Sequence, residues 1–193
     1  MLQFFRVAIR LKSLAFENLA FSLFSAWALY YIYSNRKRSA ILKSNDFLYF
    51  FTETLRKHPP APVLFRTATC DYKLPNTNMV IPMGTQIMIP IYAIHHDESI
   101  YTKPQVYNPD RFNKDNMKEG HACSFMPFSC GPRACIGSKF AMMHLKVTLV
   151  NLLRKYRFSI GSKTPFPLKF DKKSAVLSAD EIWLTVENLK ERI

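Results

Sequence analysis

A chain of 193 residues is long enough for one domain with a substantial core, and 48% hydrophobic residues, sixteen of them Phe, exclude a disordered tail. The formal charge of +13 includes no Lys/Arg block interleaved with aromatic or glycine residues, so no nucleic-acid surface is indicated. A basic soluble face, a contact with anionic lipid or an acidic protein partner are the readings left.

In chain order, residues 1–45 form an apolar N-terminal segment and residues 46–193 a globular portion. Leu14 to Tyr33 is broken only by Glu17, Asn18, Ser22 and Ser25 and runs into Asn35-Arg36-Lys37-Arg38. Such a stretch could span a bilayer with its basic flank in the cytoplasm; a buried or amphipathic core helix, which Glu17 favours, accounts for the same composition. Phe47 to Lys57 predicts a helix with Leu48, Phe51 and Leu55 on one stripe, stopped by Pro59-Pro60. Val63 to Leu74 reads as extended, Pro75-Asn76-Thr77-Asn78 as a turn, Met79 to Pro82 as a short strand and Gln86 to Tyr92 as another, which together make a small antiparallel sheet. Ala93 to Tyr101 is expected to hold one short helix. Residues 102–127 are mostly loop, long enough to wrap around something. Ser138 to Arg154 carries the strongest helical pattern, with Phe140, Met143, Val147, Val150 and Leu153 on one stripe. The alternation around Ile182-Trp183-Leu184 is expected to close a further hairpin.

Chemistry concentrates in Phe128-Ser129-Cys130-Gly131-Pro132-Arg133-Ala134-Cys135-Ile136-Gly137, an F-x-x-G-x-R-x-C-x-G pattern directly ahead of that helix. A thiolate at Cys135 would sit on a tight loop at a helix N-terminus and could ligate a haem iron, and thiolate ligation favours O–O bond cleavage. Gly131 and Gly137 would let the backbone pass close under a flat macrocycle, Phe128 would shield the sulfur, and Arg133 could pair with a haem carboxylate. Four cysteines at uneven spacing, Cys70, Cys123, Cys130 and Cys135, argue against a disulfide framework and for one functional thiolate among bystanders. A metal site from His121, Cys123, Cys130 and Cys135 is the rival reading, though it lacks the close cysteine pair of most zinc sites. Glu53 and Arg56 lie at i, i+3 on one helix face; if buried, the pair needs further partners to offset desolvation, and Arg111 is the candidate.

Glu53-x-x-Arg56, Asn108-Pro109-Asp110-Arg111-Phe112 and the Cys135 loop, in that order, resemble the C-terminal part of a cytochrome P450. Ile81-Pro82-Met83-Gly84-Thr85 and Ile91-Tyr92-Ala93-Ile94-His95-His96-Asp97 are similar to insect microsomal members, and the resemblance covers residues 46–189. It implies a mainly α fold with a small antiparallel β-sheet, here the haem-ligand half of that fold. It further implies a haem (iron protoporphyrin IX) with Cys135 as the axial thiolate and metal ligand. Glu53, Arg56 and Arg111 would form a buried structural triad, Arg133 and Arg66 would bind propionates, and Val63 and Leu64 would lie near the substrate. By the same resemblance the function is that of a monooxygenase acting on a small apolar substrate. Its partner would be an NADPH-cytochrome P450 reductase docked near Arg133 and Lys139, and its location the cytoplasmic face of the endoplasmic reticulum membrane.

Ser129 stands where glycine is usual in the family, which would strain serine if the site needs φ > 0, and Cys130 is close enough to be a rival ligand or an oxidation partner. Complete members are more than twice as long. Residues 14–35 alone could match the distal helix, with Asn18 rather than threonine after Glu17. A truncated, inactive relative is therefore the alternative to an active enzyme, and this chain by itself is expected to lack the reduced-CO absorption of thiolate-ligated haem.

Overall fold

The computed structural model describes residues 6–11, 46–113, 123–165, 168–171, 175–179 and 182–189. The apolar stretch 14–33 and His121 lie outside them. Three α-helices and three small antiparallel sheets make up the described portion.

Helix α1 (Asp46–Lys57) ends where expected, because Pro59 and Pro60 have no N–H to continue the ladder. Strand β1 (Arg6–Leu11) precedes it in the chain. Strands β2 (Leu64–Thr67) and β5 (Gln86–Ile89) pair antiparallel, with Phe65 opposite Met88. The intervening ribbon, β3 (Tyr72–Lys73) with β4 (Val80–Ile81), turns through Asn76 at φ +59°, a left-handed conformation that Asn tolerates. Helix α2 (Ile91–His95) starts two residues earlier than the sequence pattern indicates and is over by His96, so the strand before it is shorter than expected.

The long connection that follows is irregular apart from a 3-10 turn at Pro109–Phe112, whose first N–H groups are capped by Asn108: its side chain accepts from the Asp110 N–H at 3.1 Å. A second 3-10 turn, Gly131–Arg133, leads into helix α3 (Ser138–Lys155). Strand β6 (Tyr156–Ile160) leaves α3 directly and pairs with β7 (Ile182–Asn188), which β1 joins on its other edge. The hairpin expected near Trp183 is thus the middle of a three-stranded sheet, completed from the N-terminal segment.

The core lies where α1 and α3 meet β6 and β7. Phe51 and Leu55 from α1, Leu145, Leu149 and Leu153 from α3, and Phe158, Ile182 and Leu184 from the strands are buried together. Spacings of four along α3 put its three leucines on one side. The stripe that marked this helix in the sequence points elsewhere at its N-terminal end: Phe140, Met143 and Val147 are exposed. Helix α3 therefore has two apolar sides, of which the core covers one. Among the described residues no helix is long and apolar enough to cross a membrane.

Candidate functional site

Two polar structures flank the core. The first grows from α1. Glu53 and Arg56 are fully buried and meet in a two-pronged pair, Arg56 Nε to Glu53 Oε2 at 2.8 Å and Arg56 Nη2 to Oε1 at 2.9 Å. A buried pair is tolerable only when its remaining donors and acceptors are also met. Here they are: Arg56 donates to the carbonyls of His95 (2.7 Å) and Pro104 (2.8 Å), and Glu53 accepts from the Asn108 N–H at 2.9 Å. Arg111 closes the cluster, with Nε 3.2 Å from Glu53 Oε2 and its outer nitrogens on the carbonyls of Thr102 and Val106. The long connection is thereby folded around two guanidinium groups, the wrapping that its length suggested.

The second structure is the loop carrying Cys135. The Cys135 N–H donates to Phe128 O at 2.9 Å, and the Ser129 N–H to Met126 O at 3.0 Å. Ser129 and Gly131 both take positive φ, +67° and +76°. Cys135 is a free, exposed thiol just ahead of α3. Beside it Ile136 is fully exposed, and the uncovered side of α3 continues through Phe140 and Met143. Arg66, on β2, reaches the loop by donating from Nη2 to Ser129 Oγ at 2.9 Å. Arg133 is exposed.

A scan of known families finds that the cytochrome P450 model matches residues 49–186. Curated relatives include "Probable cytochrome P450 6a14" of Drosophila melanogaster, 44% identical over 72% of this chain and 27% of its own length. "Cytochrome P450 9e2" of Blattella germanica is 41% identical over 70% of this chain and 26% of its own. The chain belongs to the cytochrome P450 family. It spans about a quarter of the length of the curated relatives it matches.

Within this P450 portion the residues singled out by sequence separate into distinct groups. Glu53, Arg56 and Arg111 come together as expected, although their spacing alone indicated only the first pair. Arg66 and the Cys135 loop, 63 positions apart at the contact, are also brought together. The two glycines differ: Gly131 needs its positive φ, whereas Gly137, at φ −85°, does not. A Cβ on Gly137 would lie at an ordinary 3.9 Å from Cys135 Sγ. Phe128, expected to shield the sulfur, is partly buried against the core.

Cys130 is joined to Cys123 in a disulfide with a Cα–Cα separation of 6.2 Å, so two of the bystander cysteines are paired with each other. That cross-link takes two sulfurs from the rival metal site, and the described residues contain no cluster of three or more metal-ligating His, Cys, Asp or Glu groups. His95 had no role assigned from sequence. It is fully buried, with Nδ1 3.0 Å from Arg56 O and Nε2 accepting from the Met126 N–H at 3.0 Å. Burial, above all, lowers its pKa to about 4. Nothing in the local sequence marks it, because both partners are distant backbone groups.

The loop fits a thiolate-ligated haem on three counts. It presents a soft sulfur donor, an apolar surface next to that donor, and arginine N–H groups not used among the described residues: Arg66 spends one donor on Phe65 O and one on Ser129, out of five.

Proposed function

We propose that this chain is the haem-ligand portion of a P450-type monooxygenase, which inserts one oxygen atom of dioxygen into a small apolar substrate. The observation that carries the reading is the free, exposed Cys135 thiol beside an uncovered apolar surface on the same helix, with Arg66 tied to the same loop. When bound, a thiolate-ligated haem would supply dioxygen activation. The chain's own residues would do the holding. Cys135 would bind the iron as its metal ligand, and Arg66 and Arg133 would pair with the propionates in charge-assisted bonds. Gly131 gives the loop its turn, Phe128 anchors it to the core, and Glu53, Arg56 and Arg111 keep the neighbouring connection in place. Two electrons would come from NADPH through a reductase docked near Arg133 and Lys139. Resemblance to microsomal members supports a site of action at the cytoplasmic face of the endoplasmic reticulum membrane, with the apolar stretch 14–33, beyond strand β1, acting as a degenerate distal helix or as an anchor.

The same exposed residues, Ile136, Phe140 and Met143, also fit a second reading, in which this chain alone holds the ligand machinery without activity. A titration of the purified chain with ferric hemin separates the outcomes. The Soret spectrum of the wild type is expected to differ from that of Cys135→Ser; identical spectra would sink the ligand assignment. Absence of the thiolate-type reduced-CO band from the wild-type chain supports the second reading, and its presence, abolished by Cys135→Ser, supports the first.

A further inference from the structure

We propose that His95 is a positioning residue for the Cys135 loop, coupling the Glu53–Arg56–Arg111 cluster to Met126 as a neutral imidazole with its proton on Nδ1. The proposal rests on the reading of Cys135 as the haem ligand and adds how its loop is held.

The argument begins with the proline pair. In a continuing helix the carbonyl of Arg56 would accept from the N–H of residue 60, and Pro60 has none. The carbonyl is buried with its residue and needs a donor. His95 Nδ1 is 3.0 Å away. On the other side of the ring, Nε2 faces the Met126 N–H, which can only donate. The ring must therefore accept at Nε2, which fixes the proton at Nδ1 and makes Arg56 O its acceptor. An imidazolium would set an N–H against the Met126 N–H, in keeping with the depressed pKa.

The link is locked from both ends. Arg56 Nη1 donates to His95 O at 2.7 Å, so the two residues hold each other's carbonyls. The ring also stacks on Phe125, centroids 5.5 Å apart and 19° between planes. Beyond it the bonds run on: Met126 O accepts from the Ser129 N–H, and the Phe128 carbonyl accepts from the Cys135 N–H. Ser129 keeps its positive φ while its hydroxyl holds Arg66. A single ring thus stands between the most buried charges and the turn that presents the thiol.

Gln and Asn discriminate this role from simple space-filling. In His95→Gln the side-chain oxygen can still reach the Met126 N–H. The shorter His95→Asn keeps a donor for Arg56 O and leaves Met126 without an acceptor. Hydrogen exchange in the haem-free chain is expected to rise at least about tenfold from Met126 to Cys135 in His95→Asn, with α3 core amides unchanged, and to stay near wild type in His95→Gln. With hemin bound, the Soret position is expected to match wild type in His95→Gln and to move in His95→Asn. Acceleration spread evenly over the chain, no acceleration, or no rescue by glutamine would overturn the proposal. Imidazole 15N shifts of the wild-type chain provide a check without substitution: a proton found on Nε2 removes the link. The exchange and tautomer measurements use no hemin, so they stand apart from the Cys135→Ser titration that tests the ligand assignment itself.

Discussion

The Glu53 cluster and the Cys135 loop are both polar structures on one small core, and they are built in opposite ways. Glu53 and Arg56 are fully buried and each has several partners, so every group is satisfied inside the protein. The loop is bound at its backbone, through Met126, Phe128 and Gly131, while the Cys135 thiol and the Arg133 side chain face solvent. Saturated groups hold shape and have nothing to offer a ligand; the loop's reactive groups remain available. Under the proposed function the less saturated structure would carry the chemistry, and under the His95 proposal the more saturated one would hold its geometry.

The sharpest way to break that dependence is Glu53→Ala, which leaves the Arg56 guanidinium buried without its counter-ion. A loss of about 3–5 kcal/mol is expected, read as a drop in the urea midpoint at unchanged slope. Glu53→Gln keeps an acceptor of the same shape and should lose less. A cost under about 1 kcal/mol for the alanine variant would mean that the cluster is not the anchor described.

Next in size is the staple on the loop. The Cys123–Cys130 disulfide closes a ring with a separation of seven residues. Loop-closure entropy for so short a ring gives about 2–2.5 kcal/mol, so urea unfolding with and without a reductant should differ by that much. Cys123→Ser should reproduce the reduced value and become insensitive to the reductant. Equal stability in both states would place the loop's order in its hydrogen bonds alone.

The histidines near the first cluster extend the comparison to pH. Burial lowers His95 to about 4 and His58 to about 3, and shifts the partly exposed His96 in the same direction. A depressed histidine stays neutral in the folded chain while the unfolded chain takes up a proton below about pH 6.5. Their contribution is therefore complete above pH 6.5. It falls as the pH drops toward about 4 for His95, and on toward about 3 for His58. Between pH 6 and 5, ahead of most carboxylates, each fully shifted group contributes a slope of up to about 1.4 kcal/mol per pH unit. His95→Gln should lower the measured slope by one proton's worth; an unchanged slope would mean that His95 is not held neutral.

How far the sequence carried each region follows from the range of its interactions. Helix α1, its stop at Pro59-Pro60 and helix α3 were legible because periodicity and proline act within a few residues. The exposure of Phe140, Met143 and Val147 was not, since an apolar stripe does not record which side of its helix the core covers. The β1–β7–β6 sheet joins Arg6–Leu11 to Ile182–Asn188 across nearly the whole chain, and no local pattern announces such a pairing. The Glu53–Arg56 pair and the cysteine motif were legible as residues at fixed spacing, and Arg111 through the order of motifs in the family resemblance. His95 and the Cys123–Cys130 link were not, because their partners are chosen by the path of the long connection.

The smallest effect is expected where an ion pair is present and the burial is not. Arg157 and Glu187 lie directly opposite on β6 and β7, with side chains 3.4 Å apart. The arginine side chain is 46% exposed and the carboxylate 23%. Water already solvates much of the pair, so little desolvation is repaid by forming it, and holding two long side chains in register costs entropy. Arg157→Ala should therefore change stability by less than about 0.5 kcal/mol, and less again in salt. The buried pair has the same charges at 2.8 Å with neither side chain exposed. Measured side by side, Glu53→Ala and Arg157→Ala each break one Arg–Glu pair, the first buried and the second largely solvated. Similar losses in the two variants would show that proximity of charge, rather than its removal from water, sets the strength of the anchor beneath the Cys135 loop.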